Sequence, residues 1–287
     1  MLSVLATGPQ VLVQDLGRIG YARLGVPRAG ALDAPAAALA NRLVGNRPDA
    51  AVLEVLLGGL VVAADAGAWV AVTGAPVEVD VDGVARGMRR AEWLPAGSRL
   101  ALGTPSAGLR CYVAVAGGVD VPPVLGSRST DTLAWIGPGP VRAGDVLPVG
   151  ALAGVPAAVE APPPDLTGPV RLLPGPHPER FEPEVLRRLA DTSWEVGAGS
   201  DRIGLRLHGP VIGRSAEELS SEGTVLGAVQ VPLDGQPVVL LADRGPTGGY
   251  PVAAVVHPQD LWRLGQARPG ERLTLVAATG SVPGRRR

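Results

Sequence analysis

Glycine and proline, 40 and 29 of 287 residues, punctuate this chain so densely that only three segments keep a helical pattern. Glycine loses the most backbone entropy inside an element and proline removes a hydrogen-bond donor, so both end regular structure and begin turns. What survives between them is short and apolar. "GLVVAADAGAWVAVTGA" and "VEVDVDGVARGM" alternate or run apolar in pieces cut by Gly and Asp-Gly, which is a hairpin signal. "RCYVAVAGGVDV", "VRLLPG", "GAVQVPLDGQPVVLLAD" and "ERLTLVAA" follow the same pattern. The three helical candidates are "DAPAAALANRLVGN", with Asp33 as N-cap, Pro35 in the first turn and Gly45 as stop; "EPEVLRRLAD", with Pro183 in its first turn; and "HPQDLWRLGQARPG", ending before Pro269. Many short strands and few short helices predict a mainly β protein of barrels or sandwiches.

Residues 150–169, "GALAGVPAAVEAPPPDLTGP", hold few large apolar side chains and three consecutive prolines. They read as a semi-rigid connector between a β-rich lobe at 1–155 and a second at 156–287.

The chain contains no lysine; its 26 basic residues are all arginine. That excludes a Walker P-loop, a pyridoxal Schiff base, covalent attachment of biotin and a serine hydrolase with a lysine base. His177, His208 and His257 stand far apart without an H-E-x-x-H or paired cysteines, so no metal site is expected. Neither G-x-S-x-G nor a strand–helix G-x-G-x-x-G occurs. A net charge of −1 carries no footprint for nucleic acid or an anionic membrane, and no apolar run nears a spanning length. The single cysteine, Cys111, lies in an apolar run and reads as a core residue of a reducing compartment. A cytoplasmic protein is expected.

Two polar clusters stand out. "VQDLGRIGYARLGVPRAGALD" gathers Gln14, Asp15, Arg18, Arg28 and Asp33 around glycines. "SSEGTVLGAVQVPLDGQPVVLLADRGPTGGYP" gathers Glu222, Gln230, Asp234, Gln236, Asp243, Arg244 and Tyr250. Aspartate in a Leu-Asp-Gly-Gln turn is ordinarily a turn former, yet two glycine-rich polar clusters together point to a binding cleft.

These stretches, with "LEVLLGG", "VAGGVDVPPVLGSRSTDT" and "SDRIGLRLHGP", resemble in order the family known as the 5-oxoprolinase C subunit, allophanate hydrolase subunit 2 or biotin-dependent carboxyltransferase. The resemblance implies two β-rich lobes including a cyclophilin-like β-barrel, and action on a small amide. It implies a partner from the family of the 5-oxoprolinase B subunit (allophanate hydrolase subunit 1) and a third lactam-processing subunit. The reaction implied is opening of the lactam of 5-oxoproline to glutamate, with ATP used by the complex and no cofactor held covalently. The alternatives are carboxyl transfer in a urea-type carboxylase, and non-enzymatic relief of histidine kinase inhibition. True allophanate hydrolysis uses a serine–serine–lysine arrangement that this chain cannot supply. Matched to the motif, Gln230 and Asp234 are the expected amide binders, with Asp243 and Tyr250 completing the catalytic set. Arg244 joins their opposing wall. Glu222, Arg18 and Arg28 complete the substrate-binding set, the two arginines as bidentate binders of carboxylate or phosphate. The Gly-Pro in "DRGPTGGYP" and the short "WIGPGPVRAGD" depart from the family pattern and bear on substrate identity.

Overall fold

The structure, a computed structural model, describes residues 1–217 and 219–278; the end of the expected second lobe, 279–287, lies outside the described residues. The chain forms two compact units. The first comprises Met1–Tyr21 and Pro27–Leu166, the second Ala22–Val26 and the chain from Thr167 onward. The connector is held in the first unit, where Ala157 N–H donates to Leu43 O and Ala161 N–H to Arg89 O.

The first unit layers a six-stranded sheet, a five-stranded sheet and a helix. The larger sheet runs in the order Val146–Leu147, Leu2–Thr7, Leu60–Ala64, Arg99–Leu102, Val79–Val81 and Val84–Arg86. The smaller runs Gln10–Gln14, Val52–Leu56, Arg110–Val115, Ala68–Gly74 and Ala91–Leu94. Because side chains alternate along a strand, Leu53, Val55, Cys111, Val113, Val70 and Val72 meet the larger sheet in one core. Val52, Tyr112, Ala114 and Ala71 face the helix α1, Ala34–Leu43, whose Ala37, Ala40 and Leu43 pack on them. The strand Arg110–Val115 is therefore buried on both faces, which is why its sequence reads as an unbroken apolar run.

The helix is seated by polar groups on that same face. Glu54 Oε2 accepts from Leu32 N (3.0 Å) and from the Tyr112 hydroxyl (2.9 Å), and that hydroxyl oxygen accepts from Asp33 N (2.8 Å). Arg110 Nε lies 3.5 Å from Glu54 Oε1. Asp33 Oδ1 then accepts from Ala36 N, the N-cap bond expected of it, and Thr73 Oγ1 donates to Ala36 O. Burial, then the Glu54 carboxylate, push the Tyr112 phenol well above its ordinary pKa, so it stays a donor to Glu54.

The second unit is a closed barrel of seven strands in the order Val170–Pro174, Val252–Val256, Ala228–Gln230, Val238–Leu240, Gly204–His208, Ser193–Val196 and Arg272–Ala277. Every pairing is antiparallel except the closing one, Val170–Pro174 against Arg272–Ala277. Mainly β architecture with a closed barrel and few short helices is thus the observed fold.

Two helix boundaries differ from the sequence expectation. The second helix, α2, is Val185–Ala190, and Glu184 ahead of it is left-handed at φ +65°, so Pro183 lies outside the first turn. It docks through Trp194, whose buried Nε1–H donates to Leu189 O. The third segment splits into a 3-10 turn, Pro258–Asp260, and a helix α3, Leu261–Gln266. Asp260 carries the join: its carboxylate accepts from Arg171 N, Nε and Nη2. No helix among the described residues is long and apolar enough to cross a membrane.

Replacing Tyr112 with Phe removes the hydroxyl shared by Glu54 and Asp33 N–H at constant shape. Buried groups that lose a partner cost about 1–3 kcal/mol. The denaturant midpoint of Tyr112→Phe should fall accordingly with an unchanged m-value; an unshifted midpoint would contradict the role given to this network.

Candidate functional site

The polar residues of the C-terminal cluster separate into an end of the barrel and the opposite end. Strand registers Arg206↔Val238, Gln230↔Val238 and Gln230↔Val252 place Gln230, the 231–237 turn and Tyr250 at one end. Leu240 pairs with Gly204 at the other end, where the chain continues into Asp243 and Arg244. A short ribbon, Glu222–Gly223 against Thr247–Gly248, connects the two.

At the first end the pairing of Ala228–Gln230 with Val252–Val256 is broken by a bulge. Val229 faces Ala254 and Gln230 faces Val252, which leaves Ala253 as the extra residue. A bulge frees backbone groups from the ladder and re-aims side chains, and both effects are visible. Val252 N–H leaves the ladder and donates to His177 Nδ1 at 3.1 Å, while Gly175 N–H to Ala253 O continues the regular pairing on the strand's other side. A neutral imidazole so bonded carries its proton on Nε2, which stands 3.2 Å from Glu222 Oε1. Gln230 is 7% exposed and its Nε2 donates to Tyr250 O at 3.3 Å. A Cβ at position 248 would lie 3.1 Å from that same Nε2, so glycine lets the ribbon close over the carboxamide. His177, Glu222, Gln230 and Tyr250 thus converge on residues 248–252. A carboxamide, an imidazole N–H and a carboxylate side by side supply the donors and acceptors that an amide next to a carboxyl group requires.

Of the remaining expected site residues, Asp234 shares this end of the barrel, whereas Asp243 and Arg244 lie toward the other. Asp234 is exposed in the 231–237 turn and its Oδ1 accepts from Gln236 N, the bond of an aspartate-initiated turn. The turn is tethered by Gln236, whose amide exchanges hydrogen bonds with Gly209 N and O. Asp243 is wholly buried, with Oδ2 accepting from Arg202 Nε at 2.9 Å and Oδ1 from Arg202 Nη2 at 3.0 Å. This fork is an internal strut, and only arginine's planar head can make it. Arg244 sits at the foot of the ribbon, donating to Leu241 O and Thr224 O. His177 was not singled out from sequence; its one visible signal is its position between Pro176 and Pro178, which fixes the backbone on both sides.

In the first unit the other expected arginines organise loops. Arg18 is 2% exposed; its Nε donates to Val124 O and its Nη2 to Ser129 O. Asp15 gathers the same loops from below, accepting from Gly17 N, the hydroxyls of Ser127 and Ser129, and Arg128 N. Gly17, at φ +83°, lies where a Cβ would meet Arg28 O at 2.5 Å, so the turn admits only glycine. Arg28 is exposed and donates to Leu16 O.

These placements separate two aspartates that look alike in sequence. Asp243→Ala removes two buried hydrogen bonds to the Arg202 guanidinium and should cost about 3 kcal/mol. Asp234→Ala removes one exposed turn bond, with about 1 kcal/mol at stake. Thermal unfolding of the two variants side by side checks the order, and equal losses would contradict it.

The family model for the carboxyltransferase domain, subdomain A and B, matches residues 24–277. The 5-oxoprolinase C subunit of Escherichia coli (strain K12) is 40% identical over 237 residues, covering 80% of this chain and 76% of that protein. The urea amidolyase of Saccharomyces cerevisiae is 32% identical over 96% of this chain, but the match spans 16% of that much longer protein. Among solved structures, TTHA0988 superposes with a TM-score of 0.88 at 41% identity, covering 97% of this chain and 55% of that one. The K. lactis urea amidolyase superposes with a TM-score of 0.90 at 30% identity over 97% of this chain and 19% of that one. The chain belongs to the carboxyltransferase domain family, with relatives of the 5-oxoprolinase C-subunit type, as its motifs implied.

Proposed function

We propose that this chain is the C subunit of an ATP-dependent 5-oxoprolinase, acting in the cytoplasm with a companion of the B-subunit family and a third lactam-processing subunit. The match to a 5-oxoprolinase C subunit, at 40% identity over most of both chains, carries this reading. In the reaction, water adds across the lactam C–N bond of 5-oxoproline to give glutamate, and coupled hydrolysis of ATP to ADP and phosphate drives the opening.

The chemistry of the ribbon end supports it. A lactam is an amide locked cis, so its N–H and C=O lie on one edge. The carboxamide of Gln230 carries a carbonyl acceptor and a second N–H beyond the one given to Tyr250 O, and it can pair with both groups of that edge. His177 Nε2–H, now turned to Glu222, is a donor suited to the substrate carboxylate or to oxygen charge developing at the carbonyl. The ribbon closing over Gln230 limits access of bulk water and strengthens each of these bonds. The chain has neither a P-loop nor any lysine, so it supplies no recognisable ATP site by itself.

A second reading, carboxyl transfer to urea or a like amide, is favoured by the family match and by the likeness to urea amidolyase. Urea presents the same planar N–H and C=O edge, so the Gln230 site serves either substrate. Without lysine the chain cannot carry biotin itself, so in that reading carboxybiotin is brought by another protein.

The two readings part on substrate. The complex reconstituted from all three subunits should release glutamate from 5-oxoproline only with ATP, and the isolated chain should release none. Turnover of urea with a carboxylated biotin carrier, and none of 5-oxoproline, would favour the second reading.

A further inference from the structure

Among the described residues, seven other than glycine adopt a left-handed backbone, and three of these, Ala29, Leu125 and Trp135, belong to loops assembled around Arg18. Leu125 and Trp135 differ from Ala29 in being exposed. Leu125 (φ +51°) and Gly126 (φ +76°) form a two-residue turn whose flanks, Val124 and Ser127, hydrogen-bond in both directions. Positive φ at both central positions selects asparagine, aspartate or glycine, so a leucine there is held against its own backbone preference. Trp135 (φ +56°) lies in a loop closed on itself, with Leu133 N and Ala134 N donating to the Asp131 carboxylate and Asp131 N donating to Ile136 O.

Both side chains lie open to solvent, Trp135 at 63% and Leu125 at 40%, and the same loops expose Ile19 at 70% and Leu133 at 42%. Scattered exposed apolar residues need no explanation, but a pinned loop cluster that accepts backbone strain in order to present leucine and tryptophan does. Arg18 fixes it from beneath: Ile19 follows Arg18 in the chain, and the Arg18 guanidinium bonds the carbonyls of Val124 and Ser129. Aromatic anchors held rigid before binding are what a protein interface concentrates its energy on.

We propose that Ile19, Leu125, Leu133 and Trp135 form the docking surface for the companion protein of the B-subunit family, which meets them with an apolar face that carries a carboxylate. Beside the cluster Arg28 is exposed and Arg128 pairs with the exposed Asp120, whereas the carboxylates of Asp15 and Asp131 are taken up by internal donors. The surface is therefore apolar with one surplus guanidinium, Arg28, and it suits an apolar partner face that carries a carboxylate. A separate polypeptide, rather than a second copy, is favoured by TTHA0988, where the matching region makes up 55% of a longer chain, so that fold is accompanied there by further protein. The inference rests on the proposed role in a 5-oxoprolinase complex and adds where its members meet.

Glycine suits the backbone at 125 and 135 better than the native side chains. Leu125→Gly and Trp135→Gly should leave the melting temperature of the isolated chain unchanged or raised. Trp135→Gly should weaken association with the co-expressed B-subunit companion at least tenfold by interferometry. Ile19→Asp, which disturbs no strained turn, should weaken it as well. Wild-type affinity in all three variants overturns the surface while leaving the proposed function intact. Failure of the wild-type chains to associate overturns both. A wild-type homodimer that Trp135→Gly dissolves overturns the choice of occupant.

Discussion

The extra residue at Ala253 governs the end of the barrel where Gln230, His177 and Glu222 meet. Without it Gln230 would face Ala253 in a regular ladder and Val252 N–H would be committed to the neighbouring strand. With it, Val252 N–H turns to His177 Nδ1, which ties the "PGPHP" segment to this end of the barrel. The same irregularity sets Gln230 under the Gly248–Tyr250 stretch, where its amide meets Tyr250 O. One displaced register thereby positions a carboxamide, an imidazole and, through the imidazole, a carboxylate.

A second constraint runs through both units. A chain without lysine settles its buried and half-buried carboxylates on backbone N–H groups, hydroxyls and arginine forks. Glu54 takes Leu32 N and Tyr112; Asp15 takes two backbone N–H groups and two serines; Asp243 takes Arg202. Such bonds are directional, and each ties a loop to a strand or to another loop. The result is loops rigid enough to carry left-handed leucine and tryptophan, and a ribbon whose glycines close over Gln230.

Much of this was legible in the sequence where the signal is local. Asp33, Pro35 and Gly45 bound the first helix as read, because capping and proline placement act within one turn. The apolar run at Cys111 marked a buried strand, which the structure covers on both faces. What was not legible depends on partners far along the chain. Asp234 and Asp243 sit in similar glycine-bearing stretches, and only the arrival of Arg202, 41 residues before Asp243, buries one of them as a strut. His177 is likewise given its setting by Val252 and Glu222, through a bulge that no short pattern announces. The start of the second helix was misplaced because Glu184 takes a left-handed conformation that its residue type does not suggest.

The central claim is that the amide edge of the substrate is read by Gln230, while Asp234 shapes a turn. Steady-state turnover of 5-oxoproline by the reconstituted complex carrying Gln230→Leu or Asp234→Asn tests it directly. Gln230→Leu keeps the volume and removes the paired donor and acceptor, so kcat/KM should fall tenfold or more, about 1.4 kcal/mol of transition-state stabilisation or greater. Asp234→Asn keeps the turn bond to Gln236 N and should retain near-normal turnover. A Gln230→Leu complex with full activity beside an inactive, folded Asp234→Asn complex would contradict the account and move the site to the turn.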